Sequence, residues 1–133
     1  MRPVPALTCL VAMVAIALPV PISAQRVRLD VPVVIHADDL DPCSNGVVTG
    51  LDPRGDGFLA VKSGPGLGYR RIDKLFNGEK IWVCGSRGDW LAIVYSRGGR
   101  DCNVASPWPR TLPYTGPCQP GWAYRRWVAV YAG

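Results

Sequence analysis

The chain has 133 residues, with 15 glycines, 13 prolines and a net charge of +5 from 15 basic and 10 acidic residues. That length is enough for one small domain, and so many glycines and prolines exclude a protein built mainly from long helices. The excess positive charge is modest and contains no basic run. It therefore argues against nucleic acid as a partner and favours weak attraction to an anionic surface, such as cell-wall polymer or lipid headgroups.

Residues 1–24 predict a secretory signal peptide. Arg2 precedes the apolar segment from Ala6 to Val20, and Ile22-Ser23-Ala24 offers a small-residue cleavage site. The apolar segment is shorter than the roughly 20 residues that a membrane-spanning helix needs. We therefore expect cleavage after Ala24, a secreted or periplasmic location, and no stable membrane insertion afterwards.

Four cysteines remain once Cys9 leaves with this segment: Cys43, Cys84, Cys102 and Cys118. An even number in an oxidising compartment predicts two disulfides. Three pairings are possible and the sequence does not choose among them. We favour Cys102–Cys118, because these residues flank one Pro-rich loop, and Cys43–Cys84 by elimination. Because no CxxC pair occurs and the chain has one histidine, we expect neither a zinc site nor another cofactor.

Residues 25–57 are predicted to be an irregular N-terminal segment. Within it, Val31 to Ile35 has the composition of an edge strand, because Pro32 cannot donate a ladder hydrogen bond.

An all-β barrel is predicted over residues 58–131. Its strands are expected at Phe58 to Lys62, Glu79 to Cys84, Trp90 to Tyr95, Gly121 to Tyr124 and Trp127 to Tyr131. Asn77-Gly78 is the strongest hairpin signal in the chain. Residues 96–120 form an insertion rich in proline and glycine, without a strand pattern. Short strands separated by turns are typical of a small antiparallel barrel.

The stretch VKSGPGLGYRRI, residues 61–72, raises the question of a phosphate cradle. A cradle of that kind needs a following helix N-terminus, and neither a GxGxxG nor a Walker pattern is present. We interpret the stretch as a corner of the sheet. Gly64, Gly66 and Gly68 are expected to supply the positive φ angles of a tight turn that Pro65 stiffens.

Three parts of the chain together resemble the bacterial SH3-like (SH3b) domain family. They are Val61-Lys62-Ser63-Gly64-Pro65-Gly66, Trp90 with Ile93, and Gly121-Trp122-Ala123. The resemblance covers Phe58 to about Val130 and implies a small SH3-like antiparallel barrel. The chain departs from the family pattern in having Lys62 where arginine is usual, Ala60 where asparagine is usual, and the long insertion before the Gly-Trp strand.

The predicted ligand site is an aromatic groove beside the Gly-rich loop. Grooves of this kind on SH3-like barrels bind extended peptides, and the resemblance implies cell-wall peptide, peptidoglycan or an envelope protein as the ligand. The predicted binding residues are Tyr69, Arg70, Trp90, Trp108 and Tyr124, with Trp122 in the same cleft. The alternative for Trp90 and Trp122 is that they form the core of a barrel that has few other large residues.

Two other functions compete with this one. The 102–118 loop, stiffened by prolines around Trp108, suits a protein-interaction or inhibitory domain, although the loop could instead cover one end of the barrel with Trp108 packed inward. A hydrolase is the less favoured alternative, because His36 is the one imidazole and the cysteines are expected to be paired. The sequence therefore predicts a non-catalytic exported binding module.

Overall fold

The computed structural model describes residues 1–19, 26–38 and 40–132. The predicted cleavage point after Ala24 lies outside the described residues. Residues 1–19 are exposed and contain no helix or strand. None of the helices in the described part of the chain has the length and apolar character needed to cross a bilayer.

The described chain is all-β, as predicted, and its one helical element is a 3-10 turn. The elements are β1 Val34–Ile35, β2 Ser44–Val48, β3 Leu59–Lys62, β4 Arg71–Leu75, β5 Lys80–Arg87, β6 Trp90–Tyr95, β7 Leu112–Pro113, β8 Gln119–Tyr124, the 3-10 helix Arg125–Trp127 and β9 Val128–Ala132. β1 pairs with β7, and the other strands form a seven-stranded antiparallel sheet in the order β4-β3-β8-β6-β5-β2-β9. The end strands β4 and β9 are not paired with each other, so hydrogen bonds do not close this sheet.

The prediction of an irregular segment over 25–57 is wrong at Ser44–Val48, which forms β2 between β5 and β9. Ser44-Asn45-Gly46 has weak intrinsic strand preference, and tertiary contacts override it. A Cβ atom on Gly46 would lie only 3.1 Å from the Val83 side chain, so the neighbouring strands pack closely over this glycine. Val48 is fully buried and anchors the strand.

The turns also differ from those predicted. Gly78 has a φ of 90° and Asn77-Gly78 does form a turn, but β4 and β5, which it joins, are not hydrogen-bonded to each other. The two-residue hairpin is instead Gly88-Asp89, between β5 and β6, with Gly88 at a φ of 57°. β5 therefore continues through Arg87, where the sequence predicts a loop from Gly85 onward.

The main sheet buries side chains on both of its faces. Along β6, Leu91, Ile93 and Tyr95 enter an inner cluster, whereas Ala92 and Val94 enter an outer cluster, as the alternation of a strand requires. The inner cluster also contains Val48, Leu51, Leu59, Val61, Leu75, Ile81 and Ala123. The outer cluster also contains Val33, Ile35, Val104, Tyr114, Trp122 and the four cysteines Cys43, Cys84, Cys102 and Cys118.

The outer cluster exists because two segments predicted to be irregular fold together as a layer over the sheet. The described N-terminal residues 26–36 supply Val33 and Ile35, and the insertion supplies β7, which pairs with β1. The prediction of an insertion without strands is thus wrong at Leu112–Pro113. A two-residue strand has no periodicity to detect, and its partner strand β1 packs on the sheet through Ile35.

Two disulfides join the predicted partners, Cys43 with Cys84 and Cys102 with Cys118. The first ties the start of β2 to β5, and the second closes the insertion loop at the start of β8. All four cysteines are buried in the outer cluster. Two disulfides in so small a domain are typical of an oxidising environment.

Candidate functional site

The predicted ligand residues lie in three separate places rather than in one cleft. Lys62 of β3 faces Trp122 of β8 in antiparallel register, so the loop after Lys62 lies toward Pro120. That places Tyr69 and Arg70 near one end of β8 and Tyr124 at the other, about 13 Å away along a strand that rises 3.3 Å per residue. Trp108 belongs to the insertion loop.

Trp122 is a core residue of the outer cluster. It is 3% exposed, and its indole Nε1–H donates to the Val31 carbonyl oxygen at 2.9 Å. The N-terminal segment therefore covers the ring that the sequence places in a binding cleft. Trp122 is therefore a packing residue, as in the alternative interpretation given above. It packs in the cluster on the outer face of the sheet, whereas that interpretation placed it in the core of a barrel.

The Gly-rich loop is a corner, but its glycines do not act as predicted. A positive φ angle occurs at none of the three glycines Gly64, Gly66 and Gly68. A Cβ atom on Gly64 would lie 2.5 Å from Cδ1 of Tyr69, so this glycine is required because the aromatic ring packs directly on the backbone. Tyr69 is half-buried by this contact.

The residues beside this loop hold the N-terminal segment in place. The Ser63 carbonyl oxygen accepts the N–H groups of Asp30 and Val31 at 2.9 and 3.0 Å. The Arg70 guanidinium lies 3.4 Å from the Asp30 carboxylate and also donates to the Arg28 carbonyl oxygen. Arg70 thus has a structural partner.

Trp108 packs within its own loop. Its Nε1–H donates to the Asn103 carbonyl oxygen at 2.8 Å, and its ring stacks on Tyr114 at 6.3 Å between centroids. The Tyr114 hydroxyl donates to the Cys102 carbonyl oxygen and accepts the Cys118 N–H. Burial raises the Tyr114 pKa, although the Cys118 hydrogen bond opposes this. The base of the loop is therefore tied together by buried contacts.

Trp90 and Tyr124 form what we call the aromatic shelf. They are direct register partners on β6 and β8, and their rings meet edge to face with centroids 5.6 Å apart. Tyr124 is 38% exposed and Trp90 is half-buried. The adjoining hairpin is fixed in place, because the Arg125 N–H donates to the Asp89 carbonyl oxygen at 2.8 Å. The shelf lies at the end of the outer face, two residues along from Trp122 in the alternating pattern.

A small cavity, here called the arginine cavity, lies on the outer face close to the shelf. It has a volume of about 70 Å³ and is lined by Pro32, Val34, His36, Gly85, Ser86, Arg87, Ala92 and Trp122. The Arg87 guanidinium stacks 5.6 Å from the centre of the Trp122 ring. Among the described residues, no carboxylate forms an ion pair with Arg87.

Sequence reasoning missed Arg87 because it assigned residues 85–89 to one turn. The signal that would have found it is the Gly88-Asp89 dipeptide, which is itself a two-residue hairpin sequence. With the turn limited to these two residues, Arg87 falls on the strand opposite Trp90.

A second group of charged side chains has a structural role. The Asp73 carboxylate of β4 accepts hydrogen bonds from the Tyr95 hydroxyl at 2.7 Å and from Arg97 at 2.9 Å, and Arg97 also pairs with Glu79 at 3.1 Å. Burial alone would raise the Asp73 pKa, but the bonds from Tyr95 and Arg97 lower it below its usual value. Burial, with the Asp73 bond, raises the Tyr95 pKa. The network links β4 to the turn before β5 across strands that share no backbone hydrogen bonds.

His36 and Ser86 both line the arginine cavity, but the hydrogen bonds among the described residues include none between them. Within the same residues, no group of three or more histidine, cysteine or acidic side chains is arranged to hold a metal ion. Comparison with protein-family models, curated proteins and solved structures finds no match to this chain. At the shelf and the arginine cavity, partly exposed aromatic rings lie beside a cation, Arg87, that forms no ion pair within the described residues.

Proposed function

We propose that the chain is an exported, non-catalytic binding module with an SH3-like fold, and that it recognises cell-wall peptide through the aromatic shelf. The observation that carries the proposal is the Trp90–Tyr124 pair, which remains accessible at the end of the outer face while Trp122 is covered. Large, rigid aromatic side chains of this kind contribute much of the binding energy in peptide and protein interfaces.

The SH3-like part of the proposal is supported by where the signature residues lie. Val61-Lys62 belongs to β3, Gly121-Trp122-Ala123 to β8, and Trp90 with Ile93 to β6. These three strands are consecutive neighbours in the main sheet. A sequence pattern spread over the chain thus forms one continuous structural unit.

Export is supported by two independent features. One is the charged, apolar and small-residue order of residues 1–24, which is typical of a secretory signal. The other is the pair of disulfides, which persist in oxidising compartments such as the periplasm or the extracellular space.

Charge favours an anionic peptide over a neutral one. Arg87 and Arg125 flank the shelf on the strand and turn beside it, and the chain as a whole is positive. Wall peptides carry free carboxylates, so their charge complements this surface, and the attraction would raise the rate of encounter.

Co-sedimentation of the exported protein with purified peptidoglycan sacculi tests the proposal. We expect Tyr124→Ala and Trp90→Ala each to weaken sedimentation by about tenfold, the size expected when an aromatic anchor is removed. Tyr131→Ala is the matched control, because Tyr131 is also exposed but lies on the edge strand β9. If wild-type protein stays in the supernatant, or if all three variants behave alike, the wall-binding function is wrong.

A protein-interaction or inhibitory role through the 102–118 loop is the second candidate. It is favoured by a recess of about 610 Å³ between Ala37-Asp38 and Pro107-Trp108-Pro109, bordered by an exposed loop tip. Two binding measurements, one with each variant, distinguish the two functions. Loss of an envelope protein partner on Trp108→Ala, with sacculus binding unaffected by Tyr124→Ala, would favour the loop.

A further inference from the structure

We propose that the arginine cavity binds the C-terminal carboxylate of the peptide that lies on the aromatic shelf. This inference rests on the proposed function, because it names the part of the ligand that the module recognises. It assigns a role to Arg87 and His36, neither of which belongs to the shelf.

The cavity is large enough for a carboxylate. Its volume of about 70 Å³ exceeds the ~10–15 Å³ that a single bound water molecule needs, and the cavity opens to solvent, so a ligand group can enter it. Ala92 and Trp122 give the cavity an apolar floor, and Arg87 and His36 bring polar side chains to its lining.

Arg87 carries a donor group that suits two oxygen atoms. Its guanidinium carbon lies over the Trp122 ring, 5.6 Å from the ring centre, which is within the range of a cation–π contact. The planar N–H pairs of arginine match a carboxylate bidentately, which a lysine cannot do. Contact with the buried Trp122 ring also restricts the Arg87 side chain before the ligand arrives.

The charge of Arg87 is uncompensated in the described chain. Arg70 and Arg97 form ion pairs with Asp30 and Asp73, whereas Arg87 shares the absence of an ion pair with most basic residues of the described chain and differs from them in lining the cavity. An arginine held against a buried tryptophan without an acidic partner leaves a local positive potential at the cavity. An anionic group from outside the chain is the complement to it.

The cavity and the shelf are close enough to serve one peptide. Arg87 is the register partner of Trp90 on the neighbouring strand, and directly opposed residues of paired strands have Cβ atoms about 5 Å apart. A peptide whose terminal carboxylate enters the cavity would therefore place its preceding residues over Trp90 and Tyr124.

Calorimetric titration with two synthetic peptides tests the inference. The probes are a wall stem pentapeptide ending in a free alanine carboxylate and the same pentapeptide as its C-terminal amide. Wild-type protein should bind the acid about tenfold or more tightly than the amide, the effect of losing a charge-assisted hydrogen-bonded pair. Arg87→Gln should abolish this preference. Arg126→Gln is the matched control and should retain it, because Arg126 stacks on Trp127, which does not line the cavity.

The outcomes separate this inference from the proposed function. If wild-type protein binds acid and amide equally, and Tyr124→Ala abolishes both, the carboxylate site is wrong and the shelf stands. If neither peptide nor sacculi bind, both proposals are wrong. Should Arg87→Gln fail to fold by circular dichroism, Arg87→Lys keeps the charge without the bidentate geometry and should reduce the acid preference severalfold. An unchanged preference in that variant would overturn the site.

Discussion

Replacing Gly64 with alanine tests the reason for the glycine in the signature loop. In the structure, the added Cβ atom would lie 2.5 Å from Cδ1 and 2.6 Å from Cε1 and Cγ of Tyr69. Ordinary van der Waals contact begins near 3.4 Å, so the ring must retreat by about 1 Å, or 3.4 minus 2.5. Overpacking of this kind costs typically about 1–3 kcal/mol. Because Tyr69 is half-buried and can move toward solvent, we expect about 1–2 kcal/mol.

Gly68→Ala is the matched control in the same loop. Nothing lies within 4 Å of a Cβ atom at Gly68, and its φ angle is not positive. Alanine there should be neutral or stabilising by up to about 1 kcal/mol, because it reduces the freedom of the unfolded chain. Guanidinium unfolding followed by the fluorescence of the five tryptophans measures the free energy of unfolding of each variant.

A double-mutant cycle with Tyr69→Ala identifies the clash itself. If the ring is the obstacle, Gly64→Ala should cost little once Tyr69 is alanine, with a coupling energy of about 1 kcal/mol or more. Equal costs for Gly64→Ala and Gly68→Ala, or a Gly64→Ala cost that does not depend on Tyr69, would refute the close-packing explanation.

Three further predictions concern stability. The folded-state pKa of Asp73 is below its usual value of 3.8, so the stabilising contribution of its carboxylate is complete above that pH and is lost as the pH falls through the folded pKa. The difference in unfolding free energy between wild type and Asp73→Asn should therefore be largest near neutral pH and shrink when unfolding is measured in acid. A difference that does not change with pH would contradict this. Removing the second disulfide as Cys102→Ala with Cys118→Ala opens a short loop and should cost about 3 kcal/mol in chemical denaturation, whereas a loss below 1 kcal/mol would contradict the chain-entropy account. Trp122→Phe keeps most of the packing but removes the hydrogen-bond donor to the Val31 carbonyl oxygen. It should lower the free energy of unfolding by about 1–3 kcal/mol and speed amide hydrogen exchange in residues 28–33. Unchanged exchange in these residues would show that the bond does not hold the N-terminal segment.

The local pattern of the chain was sufficient for some elements and misleading for others. The strand Trp90–Tyr95 was predicted with its observed bounds, since a continuous apolar run of six residues next to a clear turn signal is too short for a helix and has the length of a buried strand. The strand Ser44–Val48 was missed, because its first three residues, Ser44-Asn45-Gly46, favour turns in isolation and become part of a strand through packing between two neighbours. Glycine is needed at Gly88 and at Gly64 for different reasons. At Gly88 the two-residue turn itself requires a positive φ angle, whereas at Gly64 the Tyr69 ring, five residues away, leaves no room for a Cβ atom.

The residues of the candidate site were likewise predicted only in part. Trp90 and Tyr124 were both expected to bind, and they do lie together, because directly opposed residues of β6 and β8 share a face. Trp108 and Tyr69 were expected beside them and lie elsewhere, since composition shows that aromatic residues are present but does not place them. Arg87 was not expected at all, because its position depends on where the hairpin turns.

Local signals in the sequence were enough to predict short antiparallel strands, two disulfides and several glycine turns, because each of these depends on neighbouring residues or on the number of cysteines. Packing between distant segments places residues 26–36 over the outer face, buries Trp122 beneath them and leaves Arg87 exposed beside the shelf. These facts depend on contacts such as the Trp122–Val31 hydrogen bond, which joins residues 91 positions apart. Alternation along a strand shows that a sheet has two faces, but which segment covers each face is settled by packing between distant parts of the chain.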